Sequence, residues 1–185
     1  MSTTASSALA PPSAVDAAGH VDLDQERHAR QHLCLSVAGE TYAVPIEAVR
    51  EIIEVGRLTP LPLTPDFVTG VMNLRGAVVP VIDLQARFFG AVSTVGRRSA
   101  IVIVEADAQG ADGPLVVGTL VDGVSEVLEI PLDDIEPSPA MGTRIPRDYL
   151  AGMSKVRDEL IPVLDLDRLL CRDTLARLIA AHVAH

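Results

Sequence analysis

Asp83 and Asp165 each follow Pro-Val-x and precede Leu, and two carboxylates in matched settings are what general acid and base catalysis uses. The setting argues for another role. Each aspartate follows an apolar β-type run and precedes a short helical pattern, where its side chain would accept hydrogen bonds from the free N–H groups of the helix start. Among the histidines, His20, His28, His32, His182 and His185, the last two have a helical i, i+3 spacing at which a metal could be shared. A solvated pair on a terminal helix is the simpler reading. Cys34 and Cys171 form no Cys-x-x-Cys and read as reduced, buried thiols. Asp133-Asp134 and Asp165-x-Asp167 lack the glycine and further ligands of a calcium loop. No nucleophile elbow, phosphate-cradling loop or dinucleotide fingerprint is present. The sequence therefore predicts no catalytic residue, no cofactor and no metal, and points to a binding module.

A second set of charged residues gains meaning from an internal repeat. The segment from Gly70 to Leu84 lies over Gly152 to Leu166 without a gap, with Gly, Arg, Pro, Val, Asp and Leu coinciding. Upstream, Ile46 to Val55 lies over Val121 to Ile130 at a slightly different offset. Two blocks in one order indicate a duplicated unit. The repeat makes Asp83 and Asp165 equivalent, which favours two helix caps over a catalytic pair. It also makes Arg75 equivalent to Arg157 and Glu51 to Glu126, so each half could hold one Glu/Arg pair. Such a pair reads either as a partly shielded internal ion pair, costly to break if buried, or as an arginine presented to a partner from a tight turn. The residues alone leave both open.

The elements that position these residues are strand-sized. His32 to Ala38 and Thr41 to Val44 read as a hairpin about Gly39-Glu40. Pro45, followed by Ile46, Val49, Ile52 and Ile53, reads as a short helix leading into a strand. Pro65 to Thr69 fits one helical turn closed by Gly70. Val71 to Leu74 and Ala77 to Ile82 are strands about Arg75-Gly76, a tight turn. Asp83 then caps a helix, Leu84 to Phe88. In the second half Ser99 to Val104 and Leu115 to Val121 are strands joined by the Gly/Asp-rich loop Asp107 to Pro114, and Asp165 again precedes a short helix. About five short strands per unit suit a small closed barrel, which leaves no exposed edges. The expected fold is mostly β: two small barrels side by side, in halves of roughly residues 31–95 and 96–172 with exchange of strands allowed, a disordered arm over residues 1–30 and a C-terminal helix over 173–185.

Charge and composition narrow the partners. Of the 185 residues 48% are apolar, enough for a buried core, yet no run approaches the roughly 20 apolar residues of a membrane helix. The N-terminus has no basic residue ahead of an apolar run, so no direct membrane insertion is expected and the predicted location is cytoplasmic. The net charge is −10, and between Arg98 and Arg144 there is no Lys or Arg. With no Trp, 2 Tyr and 3 Phe, such a chain repels phosphate backbones and has little on which to stack bases, which argues against nucleic acid.

The block from Gly70 to Leu84, with its Asn73-Leu74-Arg75-Gly76 turn, resembles the signature of the CheW family of chemotaxis coupling proteins. Gly39 to Ile46, Val49 to Ile52 and Val121 to Val127 resemble its flanking segments, and the similarity runs from about His32 to Leu170. The resemblance implies two SH3-like five-stranded barrels in a pseudo-two-fold arrangement. It implies a non-enzymatic adaptor joining the cytoplasmic tips of chemoreceptors to the regulatory domain of the histidine kinase CheA, or an adaptor of a pilus-motility or other chemosensory-like pathway. It places a receptor helix in an apolar groove between the barrels, near Asn73, Leu74, Arg75 and Gly76 with Val49 and Glu51 nearby, and pairs Arg75 with Glu51. The arm is longer than a minimal member has. The second-half turn, Arg157-Asp158-Glu159, departs from Arg-Gly, so the halves present different faces.

Overall fold

Runs such as Ala-Ile-Val-Ile-Val-Glu-Ala are rich in β-branched residues and fit pleated strands buried on both faces. Among the described residues ten strands result: β1 (Ala29–Val37), β2 (Glu40–Pro45), β3 (Val49–Glu54), β4 (Val68–Leu74), β5 (Ala77–Asp83), β6 (Ala100–Ala106), β7 (Leu115–Val121), β8 (Gly123–Pro131), β9 (Leu150–Val156) and β10 (Glu159–Leu164). Two short helices, α1 (Leu84–Phe89) and α2 (Leu166–Leu170), follow β5 and β10. The structure, a computed structural model, describes residues 29–106, 113–139 and 143–170. Most of the expected arm, the loop over 107–112, the helix over 173–185, Cys171 and every histidine except His32 lie outside the described residues.

The strands form two five-stranded sheets, ordered β8-β1-β2-β10-β9 (barrel I) and β3-β6-β7-β5-β4 (barrel II). The division near residue 95 is thus not a division between sheets. The hairpin β1–β2 of the first half sits among β8, β9 and β10, and the hairpin β6–β7 of the second sits among β3, β4 and β5. Under the duplication the two sheets are the same list, with the leading hairpins exchanged. The parallel contacts that receive these hairpins match as well: Val163 faces Ala43 in barrel I, and Val81 faces Gly118 in barrel II. β1 starts at Ala29, so the chain joins the sheet two residues before the expected end of the arm, because Ala29 and Arg30 take register opposite Pro131 and Ile130.

Each barrel closes by the chain that follows one edge strand returning to the other edge. Thr59, past β3, bridges Val71 of β4, and Glu136, past β8, bridges Met153 of β9. The duplicated glycines sit at these closures. A Cβ on Gly70 would lie 2.4 Å from the Thr59 carbonyl oxygen, and one on Gly152 would lie 2.5 Å from that of Glu136. Gly70 therefore does not end a helical turn as expected. It lies within β4, where another backbone passes too close for a side chain. The turn before it is a tight one in which the Val68 N–H donates to the Pro65 carbonyl at 2.9 Å.

Strand alternation sorts the apolar side chains into three clusters. Cys34, Ala43, Leu128, Ile130, Ile161 and Val163 fill barrel I, and Val79, Val81, Ile101, Ile103 and Leu120 fill barrel II. The opposite faces of the same strands, with Leu33, Leu35 and Val37 from β1 and Val102 and Val104 from β6, build the largest cluster between the barrels. At its margin the guanidinium of Arg87 lies 4.4 Å from the Phe67 ring centroid and 5.1 Å from that of Tyr149, and its Nε donates to the Leu169 carbonyl at 3.2 Å. Phe67 and Tyr149 are equivalent under the repeat, so Arg87 pins the two units at matching points.

Candidate functional site

Asp83 and Asp165 are caps. The Asp83 side chain is buried and accepts from the N–H groups of Gln85 and Ala86 at the start of α1. It also accepts from the Ser93 N–H at 2.7 Å and the Ser93 hydroxyl at 2.5 Å, which ties down the chain after the helix. Asp165 accepts from the Arg168 N–H at 3.2 Å. Both oxygens of Asp83 are thus engaged by donors of its own fold, and Asp165 is the matching cap of α2. Among the described residues no group of three or more His, Cys, Asp or Glu could hold a metal, and no helix is long and apolar enough to cross a membrane.

The turn between β4 and β5 is built differently. Arg75 and Gly76 both have positive φ, 53° and 88°, the requirement of a type I′ hairpin turn. The Gly76 N–H donates to the Asn73 side-chain oxygen at 2.9 Å, so Asn73 shapes the turn from within. Leu74 is turned inward and packs against the core of barrel II. Arg75 remains at the tip. Its two guanidinium nitrogens donate to the two carboxylate oxygens of Glu51 at 3.0 and 2.9 Å, a bidentate bond. Its side chain is 78% exposed against 25% for Glu51. The equivalent turn has Arg157 and Asp158 with φ of 49° and 65°, and Arg157 donates to Glu126 at 3.2 Å through a single bond. Both pairs lie at the surface, where solvent screens them. They are not the shielded ion pairs whose disruption would cost several kcal/mol.

β3 carries the rest of this region. Its register sets Val49 opposite Val104 and Ile52 opposite Val102, so both share the face toward the other barrel, whereas Ile53 opposite Ile101 faces the interior. Val49 packs against the inter-barrel core, and Ile52 is left 46% exposed. On β8 the equivalents Val124 and Val127 repeat this, opposite Leu35 and Leu33, with Val127 48% exposed. Neither Ile52 nor Val127 is among the contact residues that the sequence suggests. Ile52-Ile53 breaks the alternation expected of a half-buried strand, and its two side chains point to opposite faces, Ile53 into barrel II and Ile52 to the inter-barrel side.

Among the described residues, three titratable groups are displaced from their usual range. Burial pushes the Tyr42 hydroxyl well up, helped by its hydrogen bond to Glu40 at 2.9 Å. Burial raises the Cys34 thiol, with the Glu126 charge adding to it and Arg157 opposing. Glu40 holds Arg144 more firmly charged through a 2.9 Å bond. A thiol held protonated inside a barrel is a weak nucleophile.

This arrangement, two barrels with exchanged hairpins and an Asn-Leu-Arg-Gly turn at one mouth, matches a known family. Residues 31–174 match the model of the CheW-like domain. The chain belongs to the CheW family. It is 31% identical over 147 residues to the chemotaxis protein CheW of Klebsiella aerogenes, covering 80% of this chain and 85% of that one. It is 33% identical to CheW of Rhizobium meliloti, over 75% of this chain and 85% of the relative. The protein FrzA of Myxococcus xanthus is 33% identical, over 79% of this chain and 88% of FrzA. Among solved structures, the scaffolding protein TtCheW of Thermoanaerobacter tengcongensis superposes with a TM-score of 0.67 at 34% identity, covering 76% of this chain and 87% of that one. The mostly β, SH3-like double barrel expected from the sequence is the fold found.

Proposed function

We propose that this CheW-family chain is a non-enzymatic cytoplasmic adaptor that couples the cytoplasmic tips of chemoreceptors to the regulatory domain of a CheA-type histidine kinase. Family membership over residues 31–174 carries this reading. The receptor helix would lie on the inter-barrel apolar face beginning at Val49 and Ile52, with its apolar side chains inward. Arg75, held by Glu51 and shaped into position by Asn73 and Gly76, would supply the polar contact at the margin of that groove. Leu74 supports the turn from within. Binding two partners at once makes the adaptor's effect a matter of geometry and coupling between sites.

The similarity to FrzA, a relative not named for chemotaxis, supports a second reading, a coupling protein of a pilus-motility or other chemosensory-like pathway. Co-sedimentation with a receptor signalling fragment and a kinase regulatory domain, separately and together, tests both. Binding to each and enhanced recovery of the three together is expected. Binding to neither overturns the adaptor reading, and a preference for partners of a different chemosensory system selects the second.

A further inference from the structure

In a chain of net charge −10, three arginines collect at one corner without a counter-charge. The antiparallel register of β3 and β6 ends with Glu54 opposite Ala100. Beyond it, the chain leaving β3 carries Arg57 to the same end of the sheet at which Arg97 and Arg98 enter β6. The two arginines occupy the centre of a turn fixed twice by Ser99, whose N–H donates to the Gly96 carbonyl at 3.2 Å and whose hydroxyl accepts from the Gly96 N–H at 2.8 Å. All three are exposed, and among the described residues none makes an ion pair or hydrogen bond through its side chain. The carboxylates of the flanking elements do not serve them: Asp122 accepts from the Ala38 N–H at 2.7 Å, and Glu54 points into solvent at the end of β3. The backbone of Arg98 also lies against barrel I, its carbonyl 3.6 Å from where a Cβ on Gly123 would stand. The corner thus spans the seam of the two barrels on a turn fixed by hydrogen bonds.

We propose that the Arg57, Arg97 and Arg98 corner is a docking surface for an acidic segment of a partner protein. Most other arginines here have a carboxylate partner, so a fixed trio without one leaves a local positive potential in an acidic molecule, the condition for steered association with carboxylates. The same loop exposes Val92 and Val95, 65% and 54% accessible, which supplies the apolar contact a protein interface uses alongside charge. Anionic membranes and nucleic acids are disfavoured because their extended charge would meet the surrounding carboxylates as well as the corner.

This surface is independent of the adaptor reading, and its test requires neither receptor nor kinase. A labelled peptide of alternating glutamate and valine, about ten residues long, is titrated into the full chain. The variants are R57Q/R97Q/R98Q and, as a control at a distant ion pair, R30Q. Saturable binding is expected, weakening as salt rises toward physiological strength. The triple variant should lose at least about tenfold in affinity, with R30Q unchanged and both variants keeping the parent's circular dichroism. Failure of the peptide to bind, or equal binding by the triple variant, overturns the proposal. So does tighter arginine-dependent binding of inorganic phosphate, phosphatidylglycerol vesicles or a single-stranded oligonucleotide, which would make the corner a general anion site.

Discussion

At the scale of single residues, exposure decides what the charged pairs are worth. Glu126 and Arg157 are 46% and 72% exposed, so Glu126→Ala should lower stability by no more than about 1 kcal/mol, read from urea unfolding. A loss of several kcal/mol would mean that the pair is shielded in solution. The two type I′ turns differ in one residue that matters. Asp158 holds a φ of 65° where the first turn has Gly76, so Asp158→Gly should raise stability by about 0.5 kcal/mol through relief of that conformation. Tyr42 gives a pH effect of definite sign. Its hydroxyl is held protonated in the fold above its ordinary value, so its contribution is complete below about pH 10 and is lost as pH rises further. Alkaline unfolding followed by tyrosinate absorbance should show the loss, and Tyr42→Phe should remove it. The equivalence of Arg75 and Arg157, and of their glutamates, was legible in the repeat. Their exposure was not, because burial depends on which strands pack over a turn, and a one-dimensional pattern does not carry that.

At the scale of elements, closure rests on two glycines that match in the repeat for a reason only the backbone path reveals. Gly70 and Gly152 stand where Thr59 and Glu136 cross. An added methyl would meet a carbonyl, which cannot rotate aside as a side chain does. Gly70→Ala and Gly152→Ala should each cost about 1–3 kcal/mol or more, and Gly39→Ala, with open space around it, about 1 kcal/mol from its positive φ. Thermal denaturation of the three variants checks the order. The helix caps were legible because an aspartate between a strand and a short helix leaves little choice. The segment after Pro45 reads as a short helix leading into a strand, and a single helical turn over Ile46–Ala48 running into β3 is what forms; only the boundary was hidden, because the helical spacing extends to Ile53. From Val49 onward pairing with β6 overrides the local pattern, as tertiary contacts commonly override weak propensity.

At the scale of the whole molecule, the exchange of hairpins couples the two units. Each barrel contains strands from both halves of the chain, so in this arrangement neither half alone completes a barrel or buries its share of the inter-barrel core. A small unit with two hairpins facing water has too little core to offset the entropy of ordering. The sequence revealed the duplication and the strand count. It did not reveal the exchange, because both the exchanged and the unexchanged arrangement satisfy the same apolar pattern and differ in which strands receive each hairpin, β8 and β10 or β3 and β5 for β1–β2. A cut in the exposed loop between Val95 and Gly96 tests this directly. Fragments 1–95 and 96–185, each alone, should show little β-sheet circular dichroism and no cooperative melting, and an equimolar mixture should recover both signals in a 1:1 complex. A fragment 1–95 that folds and melts cooperatively by itself would mean that its five strands can close without the second half, and the coupling of the two units through exchanged hairpins would then be overturned.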